Sequence, residues 1–193
     1  MPKSEKQRPT VYAKDRNEWH DWLLKNHAVS SGVLLIYYKK GSGKLSVSYD
    51  EAVEEALSFG WIDSRVNSLD EERYMQVFTP RKPRSSWSKL NKQRVEKLIK
   101  RGLMTAVGME KVEAAKRDGS WNTLDAIEDL KIPADFMEAL SSNKKAHDNF
   151  MAFSDSSKKI ILQWIRDAKR PETRKRRIDK TVELAGENKK PYP

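Results

Sequence analysis

Two short stretches hold most of the side chains able to do chemistry. The first is Phe59-Gly60-Trp61-Ile62-Asp63-Ser64-Arg65. It sets a carboxylate, a hydroxyl and a guanidinium side by side where a helix passes into a strand, and such junctions present polar groups. The second runs from Phe78 to Asn91 and places Arg81, Lys82, Arg84 and Lys89 around Trp87 and Ser85, Ser86 and Ser88. Guanidinium forks, hydroxyls and the N–H groups of a helix start together bind anions. An indole among cations can also stack on a base of single-stranded nucleic acid. The competing account is a loop pinned by a buried Trp87 and capped by Ser88. From these stretches the expected ligand-binding set is Trp61, Asp63, Ser64, Arg65, Arg81, Arg84, Ser86, Trp87, Ser88 and Asn91. The two indoles would form the walls of one pocket.

Catalytic signatures fail when tested residue by residue. Gly41-Ser42-Gly43-Lys44 lacks the earlier glycine and the following Ser or Thr of a Walker loop, since Tyr38 and Leu45 stand there. Ser-x-x-Lys occurs four times, as at Ser86–Lys89, against about two expected by chance, and no Ser-Asp-Asn or Lys-Thr-Gly accompanies it. There is no Gly-x-Ser-x-Gly, no His-Glu-x-x-His and no calcium loop. With no cysteine, thiol nucleophiles, disulfides and thiolate metal sites are excluded. Of three histidines, His20 and His27 lie seven apart but find no third ligand. No catalytic residue, metal ligand or cofactor is therefore expected.

The charge is concentrated. The 193 residues carry a net +10, with 38 Lys plus Arg against 28 Asp plus Glu. Residues 79–117 hold 12 basic and 3 acidic side chains, and 166–193 hold 10 and 5. The rest is near neutral or acidic, so the excess sits in two segments that can attract phosphates or carboxylates. At helical spacing Arg170, Arg174 and Arg177 share a face, while Lys175 and Arg176 point elsewhere, which favours a solvated surface over a focused groove. No apolar run reaches membrane-spanning length, and the N-terminus lacks a signal-peptide core. A cytoplasmic protein is the expectation.

The elements that would position these residues are mixed. Asp15 and Ser48 each open a capping box, for helices carrying Trp19, Trp22 and Leu23, and Ala52, Val53, Ala56 and Leu57. Gly60 suits the left-handed stop of the second helix. Val33 to Tyr38 reads as a central strand, and Trp61–Asn67 with Arg73–Pro80 as a hairpin. Beyond Ser88 the pattern is helical, with caps at Ser88, Asn143 and Ser154 and with Pro133 and Pro171 at first helical positions. The expected fold class is α+β: a small antiparallel sheet with flanking helices, followed by an all-helical part. The division expected is a flexible leader 1–11, an α+β domain 12–120, a helical module 121–186 and a disordered tail 187–193.

Several motifs resemble one family. Ala56-Leu57-Ser58-Phe59-Gly60-Trp61-Ile62-Asp63-Ser64, Phe78-Thr79-Pro80-Arg81 and Ser86-Trp87-Ser88-Lys89-x-Asn91 are similar to the YdeI/OmpD-associated, or bacteriocin-protection, family. So are Ala115-Lys116-x-Asp118-Gly119-x-Trp121 and the run from Trp164-Ile165 to Arg177-Ile178. The similarity spans about residues 12 to 186. Ser58 stands where the family commonly has a cysteine. The resemblance implies a cytosolic bacterial protein linked to stress or to tolerance of antimicrobial peptides, with a helical C-terminal module and no established reaction.

Three functions follow as expectations. The favoured one is a non-enzymatic protein that binds an anionic ligand or protein partner at a basic, Trp-lined pocket. The second is nucleic-acid binding through residues 79–117 and the 170–180 helix. The third is a hydrolase or transferase using Asp63 or Ser64, with Arg65 holding substrate.

Overall fold

The computed structural model describes residues 8–191. The chain divides into two compact units with the break after Asn122.

The first unit is built on a four-stranded sheet of order β1-β2-β4-β3, from β1 (Thr10–Tyr12), β2 (Val33–Tyr38), β3 (Trp61–Ser68) and β4 (Arg73–Pro80). The hairpin and β2 pair antiparallel as expected, but β1 runs parallel to β2, so the sheet is mixed. Thr10 and Val11 therefore belong to the sheet although they fall in the stretch expected to be a flexible leader. Residues 1–7 of that leader lie outside the described residues. Strand alternation turns Val33, Leu35, Tyr37, Phe78 and Trp61 to one face, and all five are buried. Helices α1 (Arg16–Asn26) and α2 (Tyr49–Ser58) contribute Trp19, Leu23, Val53 and Leu57 to the same core. Both N-caps form as expected: Asp15 accepts from the Glu18 N–H, and Ser48 and Glu51 complete a capping box.

Beyond β4, α3 (Lys89–Lys100) starts at Ser88, whose hydroxyl accepts from the Asn91 N–H at 3.2 Å. Then α4 (Ala106–Arg117) adds Val112 and Ala115 to the core. A short 3-10 turn, Ser120–Asn122, ends the unit. Gly108 lets α4 approach α2 closely: a Cβ there would stand 2.1 Å from the Ser58 carbonyl oxygen. The same oxygen accepts from both the N–H and the hydroxyl of Thr105, the α4 cap.

In the second unit the described elements are helical: α5 (Asp125–Glu128), α6 (Ala134–Ser141), α7 (Lys144–Ala152), α8 (Asp155–Arg166) and α9 (Pro171–Gly186). Their core is Phe136, Leu140, Phe150, Ile161, Ile165 and Ile178. Pro171 holds the first position of α9, whereas Pro133 sits one residue earlier than expected, as the cap of α6. The tail expected to be disordered is partly packed: the Lys189 N–H donates to the Leu184 carbonyl and Pro191 is buried. Tyr192 and Pro193 lie outside the described residues. No helix among the described residues is long and apolar enough to cross a membrane.

Candidate anion-binding site

The residues expected to form one pocket are dispersed over the first unit. Trp61 is a core residue, 1% exposed, with its indole N–H donating to the His27 carbonyl at 3.2 Å. Asp63 faces the same side of the sheet and accepts from Gln76 Nε2 at 2.7 Å and from the Tyr49 hydroxyl at 3.1 Å. Ser64 faces the other side, lining a groove with Val77 and Thr79. Adjacent strand residues point to opposite faces, so Asp63 and Ser64 cannot serve one reacting centre. Ser64 and Arg65 together oppose Val77 in a β-bulge, and Arg65 is exposed. Ser88 and Asn91 are occupied at the start of α3, where Asn91 Oδ1 also accepts from Arg94 at 3.1 Å.

Arg81, Arg84 and Trp87 do come together. β4 ends at Pro80, and the Arg81 N–H donates to the Gly60 carbonyl at 2.9 Å, which fixes where the side chain departs. Its guanidinium lies 3.5 Å from the Trp87 ring centroid and donates to the Ser86 carbonyl at 2.7 Å. Ser86 thus contributes its backbone, and its side chain is on the exposed surface. Trp87, 2% exposed, packs in turn on Trp121 with ring centroids 4.9 Å apart. Between Arg81 and Trp87 the chain turns at Lys82-Pro83-Arg84-Ser85, closed by the Ser85 N–H on the Lys82 carbonyl at 3.2 Å. Pro83 at the second position and a positive φ at the third have the type II pattern, which favours glycine there. Arg84 occupies it instead, at φ +59°, a strained backbone for a residue with a side chain.

This loop and α4 enclose a cavity of about 70 Å³. Lys111, Ala114, Ala115 and Asp118 reach it from α4, at i, i+3, i+4 and i+7 on one helix face. Four cations (Arg81, Lys82, Arg84 and Lys111) line it with one carboxylate, Asp118. That carboxyl is held below its ordinary range by hydrogen bonds from Ser120 and from the Arg84 backbone. Arg81 is 5% exposed, and its Nε and Nη1 have no hydrogen-bond partner. Burial pulls the guanidinium down from its ordinary value to about 10, with Asp63 opposing the fall, so it still carries its charge at neutral pH. Such a group is costly where its counter-charge, here Asp63, only partly offsets the loss of water. A small oxyanion in the cavity can supply a closer one, since Lys82, Arg84 and Lys111 line it together with Arg81.

Residues 11–111, just over half of the chain, match the model of a domain of unknown function, DUF8412. Residues 129–188 match that of the family described as bacteriocin-protection, YdeI or OmpD-associated. The chain belongs to the DUF8412 family and carries a YdeI/OmpD-associated domain. No curated protein and no solved structure matches it.

The YdeI/OmpD-associated match thus covers residues 129–188 rather than the whole of 12 to 186, and the motifs from Ala56 to Asn91 fall in the DUF8412 segment. So does most of the cavity lining, with Ala114, Ala115, Asp118 and Ser120 just beyond it. In the YdeI/OmpD-associated domain the arginines expected to form a basic face are engaged within the unit. Arg174 holds Asp135 through Nε at 2.7 Å and Nη2 at 2.9 Å. Arg177 donates to the Trp164 carbonyl and lies over that indole. Lys175 pairs with Asp179, and Lys180 with Glu183. The 170–180 helix therefore spends much of its charge on its own fold. In the 79–117 segment Arg94 likewise bonds Asp50, and Lys97 reaches Glu54 at 3.4 Å. His20 meets Glu55 at 2.8 Å, and no group of three metal-binding side chains forms among the described residues.

Lys111 and Asp118 were absent from the expected set. The signal was present as their helical spacing, and Asp118 lies in one of the motifs behind the family resemblance.

Proposed function

We propose that this chain is a non-enzymatic, cytosolic binding protein of the YdeI/OmpD-associated type that captures a phosphate-like oxyanion at Arg81. The observation carrying this reading is a buried guanidinium, stacked on Trp87 and bonded once to the Ser86 carbonyl, with two nitrogens lacking partners beside a cavity rich in cations. A buried charge without a partner costs several kcal/mol, and proteins keep one where a ligand completes it. The strained Arg84 turn fits the same reading, because it delivers a backbone N–H to Asp118 while its side chain joins the lining. The bacteriocin-protection description of the domain at residues 129–188 supports a role for this anion capture in such protection.

Titration calorimetry with orthophosphate in chloride buffer tests the site. Saturable one-to-one binding that disappears in Arg81→Met, with the variant still folded by circular dichroism, is expected. Equal binding by the folded variant removes the proposal.

A further inference from the structure

A second recess adjoins the cavity. It is a groove of about 690 Å³ on the other face of the sheet from Asp63, lined by Arg8, Ser31, Ser64, Thr79 and Lys82 over a floor of Val77 and Pro80. Lys82 lines both recesses. The polar groups of the groove come from distant stretches of chain. Ser64 is placed by the β3 bulge, Thr79 by the outward parity of β4, and Arg8 precedes β1. Gly32 lets the last two close on each other. Arg8 Nε and Thr79 Cγ2 both lie 3.0 Å from where a Cβ on that residue would stand.

The chemistry of this lining is one-sided. Arg and Lys only donate hydrogen bonds, and the Ser31 and Thr79 hydroxyls can donate, as can Ser64 once it gives up its long 3.5 Å bond to the Val77 carbonyl. Neither a carboxylate nor a carboxamide lines the groove. A neutral polyol needs acceptors for its own hydroxyl protons, and the side chains of the lining offer only other hydroxyls. Phosphoryl oxygens need donors alone, and the two cations favour their charge.

We propose that the ligand of the Arg81 site carries two phosphoryl groups, one in the Arg81 cavity and the second across the groove, with Lys82 between them. This rests on the oxyanion reading of Arg81 and adds the class of ligand: a small bisphosphorylated molecule.

The test compares affinities for orthophosphate, pyrophosphate, glycerate 2,3-bisphosphate and a hexose 1,6-bisphosphate, with unphosphorylated hexose as control. At least one bisphosphate binds roughly tenfold or more tighter than orthophosphate, because the second group becomes an intramolecular contact. The double variant Ser64→Ala, Thr79→Val changes no charge, so general attraction is preserved. It should lose most of that gain while its orthophosphate affinity stays within about twofold, and Arg8→Gln should do the same if the double variant misfolds. A gain that persists in folded groove variants overturns the proposal. So does the lack of any gain, measurable binding of the bare hexose, or a single-stranded oligonucleotide binding roughly tenfold tighter than every bisphosphate. Orthophosphate binding without a bisphosphate gain removes only this inference. No phosphate binding at all removes the Arg81 reading beneath it.

Discussion

Replacing Arg81 with methionine should cost almost nothing in the absence of anion, although the residue is 5% exposed and central to its loop. Burial pulls this guanidinium down to about 10, a standing penalty of about 3 kcal/mol on the charged form. Below pH 10 the folded and unfolded chains both hold the proton, so the penalty is constant there. Above about 10 the unfolded chain binds more protons, and stability recovers as pH rises toward the ordinary guanidinium value. Arg81→Met removes that penalty. It also removes the bond to the Ser86 carbonyl, worth about 1 kcal/mol net, and the stack on Trp87, worth about 2 kcal/mol when desolvated. A thioether against the indole returns up to about 1 kcal/mol. The balance lies within about 1 kcal/mol of zero. Urea denaturation in phosphate-free chloride buffer measures it. Adding phosphate at about a hundred times its dissociation constant should then stabilise the wild type by about 2.7 kcal/mol and the variant not at all. A loss of about 3 kcal/mol or more in chloride would show that the guanidinium is a strut already satisfied by the fold. An equal phosphate gain in both proteins would refute the site.

Two further outcomes follow from packing and charge. Gly108→Ala should destabilise the first unit by about 3 kcal/mol, because its Cβ would stand 2.1 Å from the backbone oxygen of Ser58, which cannot rotate away; a thermal midpoint within about 2 °C of wild type would contradict that close approach. In the second unit, the Arg174 hydrogen bonds hold the Asp135 carboxyl below its ordinary range, but the carboxylate is half exposed, so screening limits the pair to less than about 1 kcal/mol. A lowered carboxylate stabilises above its unfolded pKa and loses that effect as pH falls through the folded value. The small advantage of wild type over Asp135→Asn at pH 7 should therefore vanish by about pH 2, and an undiminished difference there would assign it to another cause.

How much was legible depends on the range of the interaction. Helix starts are local: Ser48 with Glu51, Ser88 with Asn91 and Asn143 with Ala146 each act across three residues, so type and spacing named them correctly. The alternation of buried residues along Val33–Tyr38 is equally local. β1 was missed because three residues carry too little pattern, and their pairing with Leu34 to Ile36 is a long-range choice. Nearness in sequence misled at β3: Asp63, Ser64 and Arg65 are consecutive, yet pleat and bulge send them to different surroundings.

The sequence by itself determined the types of the longer elements, the concentration of positive charge in residues 79–117 and the exclusion of thiol chemistry. Only the tertiary structure decided which of those charges meet. Arg94 and Lys97 are neutralised by Asp50 and Glu54 across helices, and Arg174 and Arg177 are drawn into their own unit. Arg81 is folded over Trp87 into a recess completed by Lys111 and Asp118, some thirty residues on. The physical reason is that the cost of a buried cation depends on what docks beside it. The docking of α4, through the bare Gly108 against Ser58, is not written in any local spacing.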